Sequence, residues 1–302
     1  MLYAAYYDYI RCEMNLSLRT VVAYRSDLEQ LRHFCKNSLK KSDKPEGLSL
    51  NDLRLWVTDL AENGTSPSSI RRKVTSVKSF YRYLCRRQGL EINPTLRLSP
   101  PKAPKPLPSF VPQKETEAII DAYGDQHRID FDTMRDQLIV AMLYSTGMRA
   151  AELIGLKEVW VDTSACELKV LGKRNKERLI PFGEELKTMI CRYRDYRNRV
   201  TGGPGEFFFV RRSGEPVYYA LVNRAVHAAL DGYGVHSSKR SPHVLRHSFA
   251  TDMLNNGAEI SAVQQLLGHA SLATTQRYTH LTYRELQQNY KLAHTRAQKK
   301  EE

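Results

Sequence analysis

Over the first third of the chain, apolar positions recur at spacings of three and four, as in helices with one buried face. Leu16, Thr20, Tyr24, Leu28 and Leu31 share a face on a helix running through Phe34, with Ser17 placed as its N-cap. Leu50 to Leu60 forms a second, shorter helix that stops at Asn63-Gly64. Ser66-Pro67, a capping residue followed by proline at the first helical position, opens a third that reaches Gln88-Gly89. Its apolar stripe is Ile70, Val74, Val77, Tyr81 and Leu84.

The pattern then breaks. Residues 93–112 hold seven prolines, which remove backbone donors and oppose both helix and central strand. The expectation is an extended linker between a helical domain over 1–92 and a second domain over 113–302. In the second domain, Asp132 to Leu156 reads as one helix. Two short apolar runs between Glu167 and Pro181 flank a polar tip containing Gly172 and Asn175, which predicts a β-hairpin. Helices return from Val217. One ends at Asn256-Gly257, one from Ile260 is stopped by Gly268, one spans Leu272 to Tyr278 behind Ser271, and one spans Tyr283 to Leu292. The fold class is mainly α with a small β-hairpin or sheet, in two domains, the second mixed α+β.

Charge adds a partner to this picture. The 302 residues carry a formal charge of +13 with a pI near 9.5, which favours a polyanion. Residues 1–106 hold 19 Lys/Arg against 10 Asp/Glu, whereas the remainder holds 27 against 23. On the third helix Arg71, Arg72, Lys73, Lys78 and Arg82 sit between the apolar positions. Two readings stand: a face for the DNA phosphate backbone, or a solvated helix face. Cys12, Cys35, Cys85, Cys166 and Cys191 are scattered singly with no C-x-x-C pair, which argues against a disulfide framework and for a reducing compartment. The N-terminus lacks a signal-peptide pattern, and no run reaches the roughly 18 apolar residues of a membrane span. A cytoplasmic protein with no membrane partner is expected.

Candidate chemistry concentrates near the C-terminal end. Ser241-Pro242 starts a helix on which His243 and Arg246 lie one turn apart, close to its positive end. An imidazole and a guanidinium there suit a phosphate, since the planar fork of arginine matches phosphate oxygens. A metal reading rests on His243 and His247, four apart, but Val244 occupies the place where a zinc-protease helix needs glutamate. No metal is expected.

Five segments in order then carry a resemblance: Gly-Met-Arg149-Ala-Ala-Glu-Leu, Gly-Lys173-Arg-Asn-Lys, His243-x-x-Arg246, Leu-Gly-His269, and Thr-Thr-Gln-Arg-Tyr278. Together they resemble the tyrosine recombinase (phage integrase) family, over nearly the whole chain. The compact length and the tail through His294 look most like its Xer members. The resemblance implies a SAM-like helical core-binding domain and a catalytic domain. It makes Tyr278 the nucleophile that leaves a 3′-phosphotyrosyl bond. Arg149 and Arg246 would neutralise the phosphate, Lys173 would protonate the leaving 5′-hydroxyl, His243 would exchange a proton with Tyr278, and His269 would hydrogen-bond the phosphate. No cofactor is implied, because the ester energy is kept in the phosphotyrosine. The implied partner is double-stranded DNA, bound by a homo- or hetero-tetramer on two sites, with a second Xer-type recombinase as a further partner. The helix from Tyr283, with Leu286 and Tyr290 on one face, fits docking into a neighbouring subunit or packing within its own chain. Integration or inversion by the same chemistry, a type IB topoisomerase, and a non-catalytic DNA-binding protein are the competing readings.

Overall fold

The computed structural model describes residues 2–42, 44–101, 111–112, 114–115, 117–118, 130–172, 177–232, 240–268 and 283–294, with the backbone alone described at 232 and 283–286. They fall into two compact units, Met1–Pro106 and Leu107–Glu302.

In the first unit, α1 (Leu2–Asp8) continues through a π-helical turn, Tyr9–Glu13, into α2 (Leu18–Asn37), α3 (Leu50–Glu62) and α4 (Pro67–Arg87). Each of the last three begins on a serine that satisfies an otherwise unpaired helix N–H. Ser17 Oγ accepts from the Thr20 N–H, Ser66 Oγ accepts from Ser69, and Ser49 forms a reciprocal capping box with Asp52. The expected stripe of α4 is buried at every position, from Ile70 to Leu84, against a core that includes Leu28, Leu31 and Trp56. The helix α1 is an addition to the three expected from the apolar pattern. It docks through aromatic rings, with Tyr3 stacked on Phe80 at 4.7 Å and Tyr6 edge-on to Phe80 at 5.1 Å. Leu98, which follows the turn after Asn93, is also buried in this core.

In the second unit, α5 (Phe131–Thr146) is the central element, buried continuously from Gln137 to Thr146. The remaining helices are α6 (Ala150–Ile154), α7 (Glu184–Thr201), α8 (Tyr219–Gly232), α9 (Pro242–Asn255), α10 (Ile260–Leu267) and α11 (Tyr283–Ala293). Helices α7, α8 and α9 pack against α5. Tyr144 on α5 donates to Asp252 on α9 at 2.9 Å, and burial raises the pKa of that carboxyl. The hairpin forms as expected within the described residues, as β2 (Glu167–Leu171) and β3 (Glu177–Pro181), and a short β1 (Val161–Asp162) completes an antiparallel sheet in the order β1-β2-β3. Its register pairs Leu168 with Ile180 and Val170 with Arg178, so these four side chains share the face that also carries the buried residues.

The stretch read as one helix from Asp132 to Leu156 is two. Gly147 closes α5 in the left-handed region, φ +60°, and Arg149 is extended before α6 begins. The helix is buried on every side before this break, so no amphipathic period marks where it stops. The close approach of Phe249 and Leu267 requires the glycine, because a Cβ there would stand 2.4 Å from Phe249 Cδ1.

Within this single chain, α11 packs against α9 and α10. Tyr290 donates to the Ser145 carbonyl at 2.9 Å, Asn256 donates to the Ala293 carbonyl at 2.9 Å, and the His294 ring stacks on Tyr290. Its Tyr283 and Leu286 side chains lie outside the described residues, as do the helix expected at 272–278 and the hairpin tip at 173–176. Among the described residues, no helix is long and apolar enough to cross a membrane.

Gly147→Ala combines a disfavoured backbone angle with overpacking and should destabilise the second unit by roughly 2–4 kcal/mol. Urea unfolding followed by tryptophan fluorescence measures this, and an unchanged midpoint would contradict the packing described.

Candidate active site

The C-terminal end of α10 leaves its last carbonyls without intrahelical partners. Gly268 turns the chain there in the left-handed region, φ +62°. Three successive carbonyls then accept from three different arginines. Leu266 O accepts from Arg178 Nε at 2.8 Å, Leu267 O from Arg246 at 2.6 Å, and Gly268 O from Arg149 at 3.4 Å. Cations belong at this end of a helix, where the peptide dipoles leave negative charge.

Each arginine arrives from a separate element. Arg149 stands at the break between α5 and α6, with its side chain a quarter exposed. Arg246 lies on the buried side of α9 and donates to the Gly147 carbonyl at 2.7 Å, which ties α9 to the same break. Arg178 comes from β3.

One carboxylate serves this cluster. Glu152, on the first turn of α6, accepts from the Arg149 N–H at 2.8 Å and from the Arg149 guanidinium at 2.8 Å. It also takes a bidentate pair from Arg178 at 2.9 and 2.8 Å. Burial alone would raise its pKa. The Arg178 hydrogen bonds and charge, followed by the Arg149 bonds, outweigh burial and hold the carboxyl below its ordinary value. Arg246 has no such partner. Burial, then the positive charge of Arg149, lowers its pKa to about 10, so it remains cationic at neutral pH. Among the described residues, three guanidiniums face one carboxylate here, which leaves them net positive, and an anion would relieve the excess.

The structure therefore brings Arg149 and Arg246 together as expected of a phosphate site. His243 is exposed at the start of α9, three residues before Arg246, and His247 is exposed one turn further on. Among the described residues no three His, Cys, Asp or Glu side chains are grouped as metal ligands would be. Lys173, His269 and Tyr278 lie outside the described residues. Sequence reasoning missed Glu152 and Arg178. Glu152 had a visible signal, its capping-box spacing from Arg149. Arg178 had another, a charge at an inward register position of β3.

The five cations expected on α4 separate into two groups. Arg72 and Lys73 turn to Asp27, a fully buried carboxylate on α2, with Arg72 donating at 2.8 Å and Lys73 at 3.2 Å. They balance a buried charge, so they are held at least partly for stability. Arg71, Lys78 and Arg82, spaced seven and four apart, lie on one outward row, and none forms an ion pair with a described residue.

Because the Glu152 pKa is depressed in the folded chain, its stabilisation is complete above the unfolded value of about 4.3. It is lost as pH falls through the lower folded value. Glu152→Gln should therefore cost about 2–4 kcal/mol at pH 7, with the gap to wild type closing below about pH 4. Urea unfolding across pH 3–7 checks this. A gap that stays constant to pH 3 would show that the carboxylate charge is not what holds the cluster.

The chain's similarities agree with this architecture. The sequence model described as the phage integrase family matches residues 109–285, and that of the phage integrase N-terminal SAM-like domain matches residues 4–88. Tyrosine recombinase XerC of Chlorobaculum parvum is 35% identical, covering 95% of this chain and 92% of its own. That of Staphylococcus saprophyticus is 36% identical, covering 98% and 97%. Among solved structures, the XerH site-specific recombinase bound to palindromic difH substrate has a TM-score of 0.72 at 20% identity, over 92% of this chain and 81% of that one. The Tn1549 transposon integrase in complex with circular intermediate DNA has a TM-score of 0.68 at 19% identity, over 94% and 97%. These last two share the fold. With one family matched across more than half of its length and relatives above 30% identity along nearly all of it, the chain belongs to the phage integrase family.

Proposed function

We propose that this protein is a site-specific DNA recombinase that cleaves and rejoins DNA through a 3′-phosphotyrosyl bond at Tyr278. The observation that carries the reading is the pair of guanidiniums, Arg149 and Arg246, held side by side at one helix end on a phage integrase scaffold.

In this reading the phenolate oxygen of Tyr278 attacks the scissile phosphorus in line, and the bond to the 5′-oxygen breaks. Charge on the non-bridging oxygens is met by Arg149 and Arg246, with His269 adding a hydrogen bond. Lys173 supplies the proton that makes the 5′-hydroxyl a competent leaving group. His243 takes the phenol proton, which an ordinary tyrosine with a pKa near 10 would hold at neutral pH. Rejoining is the same step reversed by a 5′-hydroxyl, so the bond energy is conserved and no cofactor is consumed.

The domain division proposed is a DNA-gripping helical domain over 1–92, a proline-rich connection over 93–112 and a catalytic domain over 113–302. Exchange between two duplexes requires four strand cuts with one nucleophile each, which supports four protomers on two sites and a Holliday junction between the exchanges. XerC relatives at 35–36% identity over nearly the full length support an Xer-type role. Chromosome dimer resolution in the cytoplasm, with a second Xer-type recombinase as partner, belongs to the same proposal.

The wild-type protein, incubated without metal on a nicked suicide duplex carrying a site recovered from bound genomic fragments, should give a covalent protein–DNA adduct. Tyr278→Phe should give none. An adduct formed by Tyr278→Phe, or none by wild type on any recovered site, would overturn the reading. Replacing Arg71, Lys78 and Arg82 together by alanine should flatten the salt dependence of DNA binding, by about 0.9 in log–log slope for each phosphate left without its cation. An unchanged slope would remove that row from the DNA interface.

A further inference from the structure

We propose that Arg178 is a positioning residue for DNA cleavage, holding the base of the β2–β3 hairpin, the Arg149 turn and the end of α10 as one unit. The inference rests on the reading of the site given above and extends it to a residue outside the six assigned there.

The placement of Arg178 is unusual for its chemistry. Along β2 and β3 the inward positions are Leu168, Val170, Ile180 and Arg178, and the first three are fully buried. A charge at an inward position costs free energy unless its hydrogen bonds are satisfied. Arg178 is only 13% exposed, and its guanidinium directs three bonds to two other segments: two to Glu152 and one to the Leu266 carbonyl. Gly268 lies against the same side chain, and a Cβ there would stand 3.2 Å from Arg178 Nη1. That approach joins β3 to the residue directly before His269 in sequence.

The geometry shows what Arg178 acts through. Glu152 holds Arg149 by both its backbone N–H and its guanidinium. Arg178 occupies both oxygens of the same carboxylate and so fixes the plane in which Arg149 meets it. Without Arg178, Glu152 would keep a single cation and could turn, taking Arg149 with it. Arg246 would keep both of its carbonyl bonds. The expected defect therefore falls mainly on the chemical step, because one phosphate ligand is misdirected while Arg246 keeps its place and the Arg178 charge is already turned to Glu152. Lysine at 178 could reach one carboxylate oxygen but cannot make the bidentate pair and the carbonyl bond together.

Single-turnover adduct formation on the suicide duplex, read beside DNA affinity, tests this. Arg178→Ala should slow cleavage roughly 10–100-fold, the scale of a displacement of about 1 Å in a reacting group, with affinity within about twofold of wild type. Arg178→Lys should recover part of the rate, which keeps the test decisive if the alanine variant unfolds. Arg178→Ala combined with Glu152→Gln should be no slower than the slower single variant, since both act through one pair. Cleavage by Arg178→Ala at the wild-type rate would overturn the inference, as would rate losses that multiply in the double variant, or affinity falling in step with rate. No adduct from wild type would instead remove the reading of function on which the inference stands.

Discussion

Helix ends leave carbonyls that nothing inside the helix can satisfy, and at the end of α10 these become the organising centre of the second unit. Leu266, Leu267 and Gly268 present their oxygens in sequence, and Arg178, Arg246 and Arg149 fill them from a strand, a helix and a turn. Three distant pieces of chain are thereby indexed to one point. The backbone geometry that allows it depends on Gly147 and Gly268, both left-handed and both tightly packed against neighbouring side chains. A side chain at Gly268 would press on Arg178, and one at Gly147 on Phe249 and Leu267.

The same arrangement keeps the arginines charged, as the proposed phosphodiester substrate would require. Carbonyl oxygens orient guanidiniums without neutralising them, whereas carboxylates would cancel their charge. Among the described residues only Glu152 intervenes, and it is shared by two arginines, so Arg246 stays buried and cationic with no described carboxylate of its own. Positive potential is thus built during folding and is already aimed when the substrate arrives, which is how preorganised charge lowers a barrier. His243 is exposed on the helix that carries Arg246.

Much of this is legible in the amino-acid pattern, because the informative signals are local. Serine caps announce α2 and α4, and two apolar runs flanking a polar tip announce the hairpin. Arg149, His243 and Arg246 are recognisable from short motifs. What escapes depends on neighbours distant in sequence. The helix break at Gly147 is set by Phe249 and Leu267, more than a hundred residues away, and the burial of α5 on every side leaves no apolar period for it to interrupt. Arg72 and Lys73 look like any cations on a basic helix until Asp27, on another helix, is found beneath them. Glu152 and Arg178 carry the right local oddities, a capping spacing and an inward charge, but only the fold gives these a shared purpose.

In the proposed site, Arg149 and Arg246, set by the end of α10, receive the scissile phosphate. A crystal structure of the Tyr278→Phe protein on an intact recombination site would show this, with non-bridging oxygens of that phosphate expected within about 3 Å of both guanidiniums and the bonds to the Leu267 and Gly268 carbonyls retained. A phosphate bound away from either arginine, or arginines that must leave those carbonyls to reach it, would mean that these two side chains do not form the phosphate site.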